Sequence, residues 1–132
     1  MRLLASITLV AAIGLTACST APASKPSMAQ ASPATVMSGK LVGPNQMTLY
    51  VFDRDMAGSG KSVCNGGCAT NWPPLMAPAG AAPIGNWSVI TRDDGSKQWA
   101  YQGKPLYYWV KDSKPGDTTG DGVGNVWRIA KP

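Results

Sequence analysis

One seven-residue pattern occurs twice in this chain and limits what it can fold into. "LYVFDRD" stands at Leu49–Asp55 and "LYYWVKD" at Leu106–Asp112, so Tyr50, Phe52 and Asp55 recur as Tyr107, Trp109 and Asp112 at a constant offset of fifty-seven positions. Each copy is followed by glycines and then a tryptophan: Gly58, Gly60 and Trp72 after the first, Gly116, Gly120, Gly122, Gly124 and Trp127 after the second. Two units are too few for a solenoid, which needs three or more repeats to cover its core. The expectation is a single domain of two related β units packed against each other.

A strand alternates its side chains between two faces, which puts Tyr50 and Phe52 on one side and Leu49 and Val51 on the other. Tyr107 and Trp109 stand in the same way against Leu106, Tyr108 and Val110. Both faces are apolar, as expected of strands covered on both sides. A buried tyrosine hydroxyl needs a partner. The aspartate closing each motif falls just past its strand, where it can accept from turn N–H groups or from a tyrosine O–H. Two readings stay open for Tyr50, Phe52, Asp55, Tyr107, Trp109 and Asp112. In one they are core strands with turn locks; in the other their aromatic rings line a ligand groove.

The rest of the chain also reads as β. "KLV", "GPNQ" and "MTLYVF" form an expected hairpin, and "NWSVITR", "DDGS" and "KQWAY" a second, reversing at Asp94–Gly95. "QGKP" turns the chain into "LYYWV", and "NVWRIA" supplies a last strand. Only "CATNWPPL" suits a helical turn, stopped by Pro73 and Pro74. With 15 glycines and 11 prolines and no long 3.6-residue period, the chain is expected to form a small all-β domain.

The first residues carry a different message. "MRLLASITLVAAIGLTAC" has Arg2, an apolar run and small residues before Cys18, the pattern of a secretory signal too short to span a bilayer comfortably. "LTAC" resembles the lipobox of bacterial lipoproteins, which implies cleavage after Ala17 and acylation, palmitate included, at Cys18. Ser19 after that cysteine implies the outer membrane if the cell is Gram-negative. The expected organisation is therefore a signal peptide at 1–17, a lipidated cysteine and Ala/Pro/Ser tether at 18–37, and a β domain at 38–132.

Of the 3 cysteines, Cys64 and Cys68 remain for a disulfide, the default in an oxidising compartment. Closing so small a loop contributes about 2 kcal/mol in the chain-entropy account. The formal charge is +5 with no Lys/Arg block, so no nucleic-acid partner is expected. The chain has no histidine, and its acidic residues are all aspartates. Haem with a His ligand is therefore excluded, zinc lacks ligands, and the usual acid–base groups of an enzyme are scarce. "DTTGDGVGN" has calcium-loop spacing at Asp117, Thr119 and Asp121, but position 12 is Arg128 where a bidentate Glu is required. No metal, no cofactor and no catalysis are expected.

The two motifs, "CNGGCATNWPPL", "RDDGSKQWAYQGKPLYYW" and "PGDTTGDGVGNVW" together resemble the bacterial secreted-repeat-of-unknown-function lipoproteins with their Tyr-x-(Phe/Trp/Tyr)-x-x-Asp motif. The resemblance covers nearly all of Ser38 to Lys131. The resemblance leaves the activity unassigned, but the anchor, the tether and the missing catalytic residues point to a lipid-anchored protein of the cell envelope, held to the membrane and contacting another envelope component, as a non-catalytic structural or binding module. The alternative is a redox or electron-transfer accessory that uses Cys64 and Cys68.

Overall fold

The computed structural model describes residues 31–132 together with Gly14. The expected signal segment, Cys18 and most of the expected tether lie outside the described residues. The described chain is built from short antiparallel strands: β1 (Thr35–Met37), β2 (Lys40–Val42), β3 (Tyr50–Phe52), β4 (Trp87–Thr91), β5 (Lys97–Tyr101), β6 (Lys104–Pro105) and β7 (Trp127–Ile129). One helical turn, α1 (Gly67–Asn71), lies between β3 and β4. It stops before Trp72 and the two prolines, as expected of residues that precede proline. The all-β reading with two related units holds.

β1 pairs with β2, β3 with β7, and β4 with β5 and then β6. The second expected hairpin forms in full, from Trp87↔Tyr101 to Thr91↔Lys97. The two repeats are not two closed units laid side by side. In the first, three backbones meet in a triangle of hydrogen bonds: Leu41 N–H to Ala130 O, Ala130 N–H to Leu49 O, and Leu49 N–H to Leu41 O. The second repeats the figure with Trp99 N–H to Leu75 O, Leu75 N–H to Leu106 O, and Leu106 N–H to Trp99 O. Each triangle takes two corners from one repeat and the third from the other. All six residues are buried and belong to one apolar cluster.

Three expectations change. The domain starts before Ser38. β1 occupies Thr35–Met37, inside the stretch read as tether, and Ala34 is buried in the core. β1 was concealed because its side chains are exposed and its composition is that of a linker; it is held through its backbone ladder to β2. The expected hairpin from Lys40 to Phe52 is reduced to a single bridge, Val42↔Thr48. The expected strand over Leu106–Val110 is not a continuous ladder either. Tyr108 N–H donates to Pro73 O and Val110 N–H to Asn71 O, so the segment does lie against 71–75. Pro73 and Pro74, however, have no N–H to return. In the first repeat β3 faces β7, which contains no proline, and there the ladder is complete from Tyr50↔Ile129 to Phe52↔Trp127.

Truncating the chain to start at Ser38 should therefore destabilise it by about 1–3 kcal/mol, because the β2 backbone loses its partner and Ala34 leaves the core. A start at Ser32, which keeps Ala34 and β1, should be distinctly more stable than the start at Ser38. Urea unfolding of the two truncations beside the longer chain checks both outcomes.

Candidate functional site

The motif residues converge at the centre of the domain. Tyr50 and Tyr107 face each other across an antiparallel bridge, Tyr50 N–H to Tyr107 O at 2.8 Å and Tyr107 N–H to Tyr50 O at 2.9 Å. Both are fully buried. Their hydroxyls cross: Tyr50 donates to Asp112 Oδ2 at 2.6 Å, and Tyr107 donates to Asp55 Oδ2 at 2.5 Å. The second oxygen of each carboxylate closes a loop of its own repeat. Asp55 Oδ1 accepts from Val63 N–H at 2.8 Å, and Asp112 Oδ1 accepts from Thr119 N–H at 2.9 Å and its hydroxyl at 2.6 Å. Each aspartate thus ties its own turn to the other repeat's tyrosine. The motif spacing shows that the tyrosine and the aspartate need partners, but nothing in a single copy indicates that the pairing is reciprocal.

Burial pushes both phenols well above their ordinary range, and the neighbouring carboxylate adds to the shift. Burial also raises Asp55, while the Tyr107 hydroxyl, Val63 N–H and the Arg92 charge oppose it. Arg92 is the second buried feature. Its Nη1 donates to Ser62 Oγ at 3.0 Å and to Gln98 Oε1 at 2.8 Å, and its Nη2 to Cys64 O. Ser62 Oγ lies 2.5 Å from the Tyr107 hydroxyl. The guanidinium and the Asp55 carboxylate therefore belong to one network relayed through Ser62 and Tyr107. Removing either charge would strand the other in a low-dielectric interior. No buried side-chain polar atom among the described residues lacks a partner.

Around the locks the aromatic rings form a continuous stack. Phe52 stacks on Trp127 at 4.3 Å, Trp127 on Trp72 at 3.7 Å, and Trp72 on Trp109 at 3.9 Å. Each motif ring covers the tryptophan of the other repeat, and Tyr50 and Tyr107 meet Trp72 and Trp127 edge-on. Gly120 is pressed into this stack: a Cβ there would come within 2.9 Å of the Trp72 and Tyr50 rings. Its N–H donates to the Tyr50 hydroxyl at 3.2 Å. Phe52 and Trp109 are half-buried ends of the stack rather than walls of an open groove.

Cys64 and Cys68 form a disulfide, with Cys64 fully buried beside the locks. The carboxylates with calcium-loop spacing act as turn caps. Asp117 accepts from the Ser113 and Lys114 N–H groups, and Asp121 accepts from Ile129 N–H. Thr119, the third of that set, points to Asp112.

The first repeat also borders a cleft of about 310 Å³. Val51, Leu106, Ile129, Ala130 and Tyr101 supply apolar wall, and Lys104, Lys131 and the Arg128–Asp53 ion pair stand around it. Among the described residues neither Lys104 nor Lys131 enters an ion pair or a side-chain hydrogen bond. The cleft arises where the repeats differ. In the second repeat the motif position after Tyr107 is Tyr108, whose hydroxyl lies so close to Gly43 that a Cβ there would overlap it. In the first, the matching motif residue is Val51, and the tyrosine, Tyr101, stands on β5 instead. The smaller Val51 leaves room that Tyr108 fills on the other side. Sequence reasoning missed this site because its residues come from three separate segments, 51–53, 101–106 and 128–131; the unequal pair Val51/Tyr108 within the repeat was the available signal.

The crossed geometry has measurable consequences. Asp55→Ala and Asp112→Ala should each destabilise by about 1–3 kcal/mol, and Tyr107→Phe by about 0.5–1.5 kcal/mol. In double-mutant cycles read by urea unfolding, the crossed pairs Tyr50/Asp112 and Tyr107/Asp55 should show coupling of about 0.5–3 kcal/mol, and the same-motif pair Tyr50/Asp55 distinctly less.

A phenol whose folded pKa is raised keeps its proton after the unfolded chain has lost its own. Its stabilisation is therefore complete below the unfolded value of about 10 and falls as the pH rises above it. The urea midpoint should accordingly drop steeply above about pH 10. In Tyr107→Phe that alkaline slope should be shallower, although the variant is less stable at pH 8.

Comparison with known proteins agrees with the twofold organisation. A family described as a secreted repeat of unknown function matches twice, over residues 34–76 and 88–131. The first match begins at buried Ala34, ahead of β1, and the two matches divide the chain between Met76 and Ser88. No curated protein and no solved structure matched the chain. With both matches together covering more than half of its length, the chain belongs to the family of secreted repeats of unknown function.

Proposed function

We propose that this chain is a lipid-anchored, non-catalytic binding module of the cell envelope, and that the cleft beside β3 and β7 receives an acidic envelope component. One observation carries the reading. The motif tyrosines and aspartates are committed to bonds inside the domain, whereas Lys104 and Lys131 stand free of ion pairs beside an apolar wall. With Arg128 already paired to Asp53, the two unpaired ammonium groups beside an apolar surface suit a ligand that carries negative charge next to a hydrophobic portion. The family's description as secreted agrees with an envelope location. In this reading Cys18 is acylated, each buried methylene adding about 0.8 kcal/mol to the anchor, and the bridge between Cys64 and Cys68 is a clamp.

The test uses the full-length chain carrying Cys18→Ser and purified envelope vesicles. The substitution should release the protein to the wash fraction at high salt, where electrostatic attachment is screened. At low salt, residual co-sedimentation should fall several-fold when Lys104→Gln and Lys131→Gln are added, with no change in the urea midpoint. Retention on the membrane through the high-salt wash would overturn the anchor. Co-sedimentation insensitive to the two lysine changes would overturn the cleft.

A further inference from the structure

Each repeat is left open and is closed by the end of the other. Ala130 completes the backbone triangle of Leu41 and Leu49, and Leu75 completes that of Trp99 and Leu106. The hydroxyl locks, the ring stack and the β3–β7 ladder also run between repeats. The repeats are joined by "APAGAAPIGN" at Ala77–Asn86, a segment without strand or helix. Its backbone bonds include two local turns, Ala81 N–H to Pro78 O and the pair between Ile84 and Trp87. No strand or helix runs through residues 79–83, so the two halves can separate there without breaking one, although Ala81 packs against the core.

We infer that a second copy of this chain is a partner that the fold accepts, with two chains exchanging their second repeats. In the exchanged dimer the first repeat of each chain closes on the second repeat of the other. Both triangles and both tyrosine locks are rebuilt across the chain boundary. Every donor, acceptor and ring in the repeat-to-repeat contact is the same whether the joining segment turns back or crosses to a neighbour. The two forms therefore differ only in that segment and in the entropy of association. A short linker gives the intrachain form an effective concentration of the order of millimolar. Exchange consequently requires chains that fold while crowded together. This inference rests on the repeat contacts and not on the cleft or the anchor.

The experiment refolds the full-length chain carrying Cys18→Ser from urea, with its disulfide intact, at about 10 µM and about 1 mM, a range that reaches the linker's effective concentration. Light scattering after size exclusion should show a species of twice the chain mass, several-fold more abundant at the higher concentration. A cysteine pair, Val51→Cys with Arg128→Cys at partnered positions of β3 and β7, then distinguishes exchange from simple contact. On a non-reducing denaturing gel the twofold species should run as a covalent dimer and the single-mass species as a covalent monomer. Single-mass protein at both concentrations overturns the inference, as does a twofold species whose cysteine pairs close within each chain. If the cysteine pair does not fold, deletion of Ala79–Ala82 replaces it. The shortened joint should raise the twofold fraction, and an unchanged fraction counts against exchange.

Discussion

The domain depends on two tyrosine hydroxyls that need acceptors in a place where water cannot supply them. Tyr50 and Tyr107 are fully buried and paired through their backbones. A buried hydroxyl without a partner would cost roughly as much as many small domains can spare. Each finds a carboxylate, and each carboxylate is itself satisfied by the N–H groups of the loop behind it. The aspartate must come from the other repeat, so neither copy of the motif satisfies itself. That requirement brings the repeats face to face, and the ring stack, the β3–β7 ladder and the two backbone triangles share the same interface.

The arrangement also explains why so small a domain, with strands of two to five residues, holds together. Short strands offer few ladder bonds each. Here they are tied by contacts between distant parts of the chain: Tyr107 to Asp55, Tyr50 to Asp112, Thr48 to the carbonyl of Asp117 at 2.6 Å. The two copies are not equally wired. Tyr107 connects through Ser62 to Arg92 and Gln98, and the disulfide braces the loop that carries Ser62 and the carbonyl of Cys64. Tyr50 has only Asp112 and the N–H of Gly120. The first lock is rigidified by charge and a covalent bridge. The second depends on a glycine small enough to let the rings close over it.

Much of this was legible in the sequence, for identifiable reasons. The duplication appears as repeated residues, the β4–β5 hairpin as an Asp-Gly reversal between alternating strands, and the disulfide as two cysteines with glycines between them. What escaped notice has reasons too. β1 uses only its backbone and looks like a tether. The segment after Leu106 has the composition of a strand, but its neighbour contains Pro73 and Pro74, whose missing N–H groups interrupt the ladder. The crossing of the locks is a property of two copies in space and leaves no trace in the spacing of either one. The basic cleft draws on β3, β5, β6 and β7, and no window of sequence contains it.

In the function proposed above, the differences between the repeats matter more directly than their likeness does. The tyrosine hydroxyls and aspartate carboxylates that the copies share are engaged inside the domain, whereas Phe52 and Trp109 stay half-buried at the ends of the ring stack. Val51 and Tyr108 occupy the same motif position. Tyr108 crosses to Gly43 and fills its side, while Val51 and Tyr101 line a cleft that Lys104 and Lys131 also border. One exchange of a large for a small side chain thus converts an internal repeat contact into an accessible, positively charged recess. A Val51→Tyr change should close that recess from within while leaving Tyr50, Asp112 and the rings untouched. It would test occupancy of the cleft separately from its charge, which substitution of the lysines cannot do.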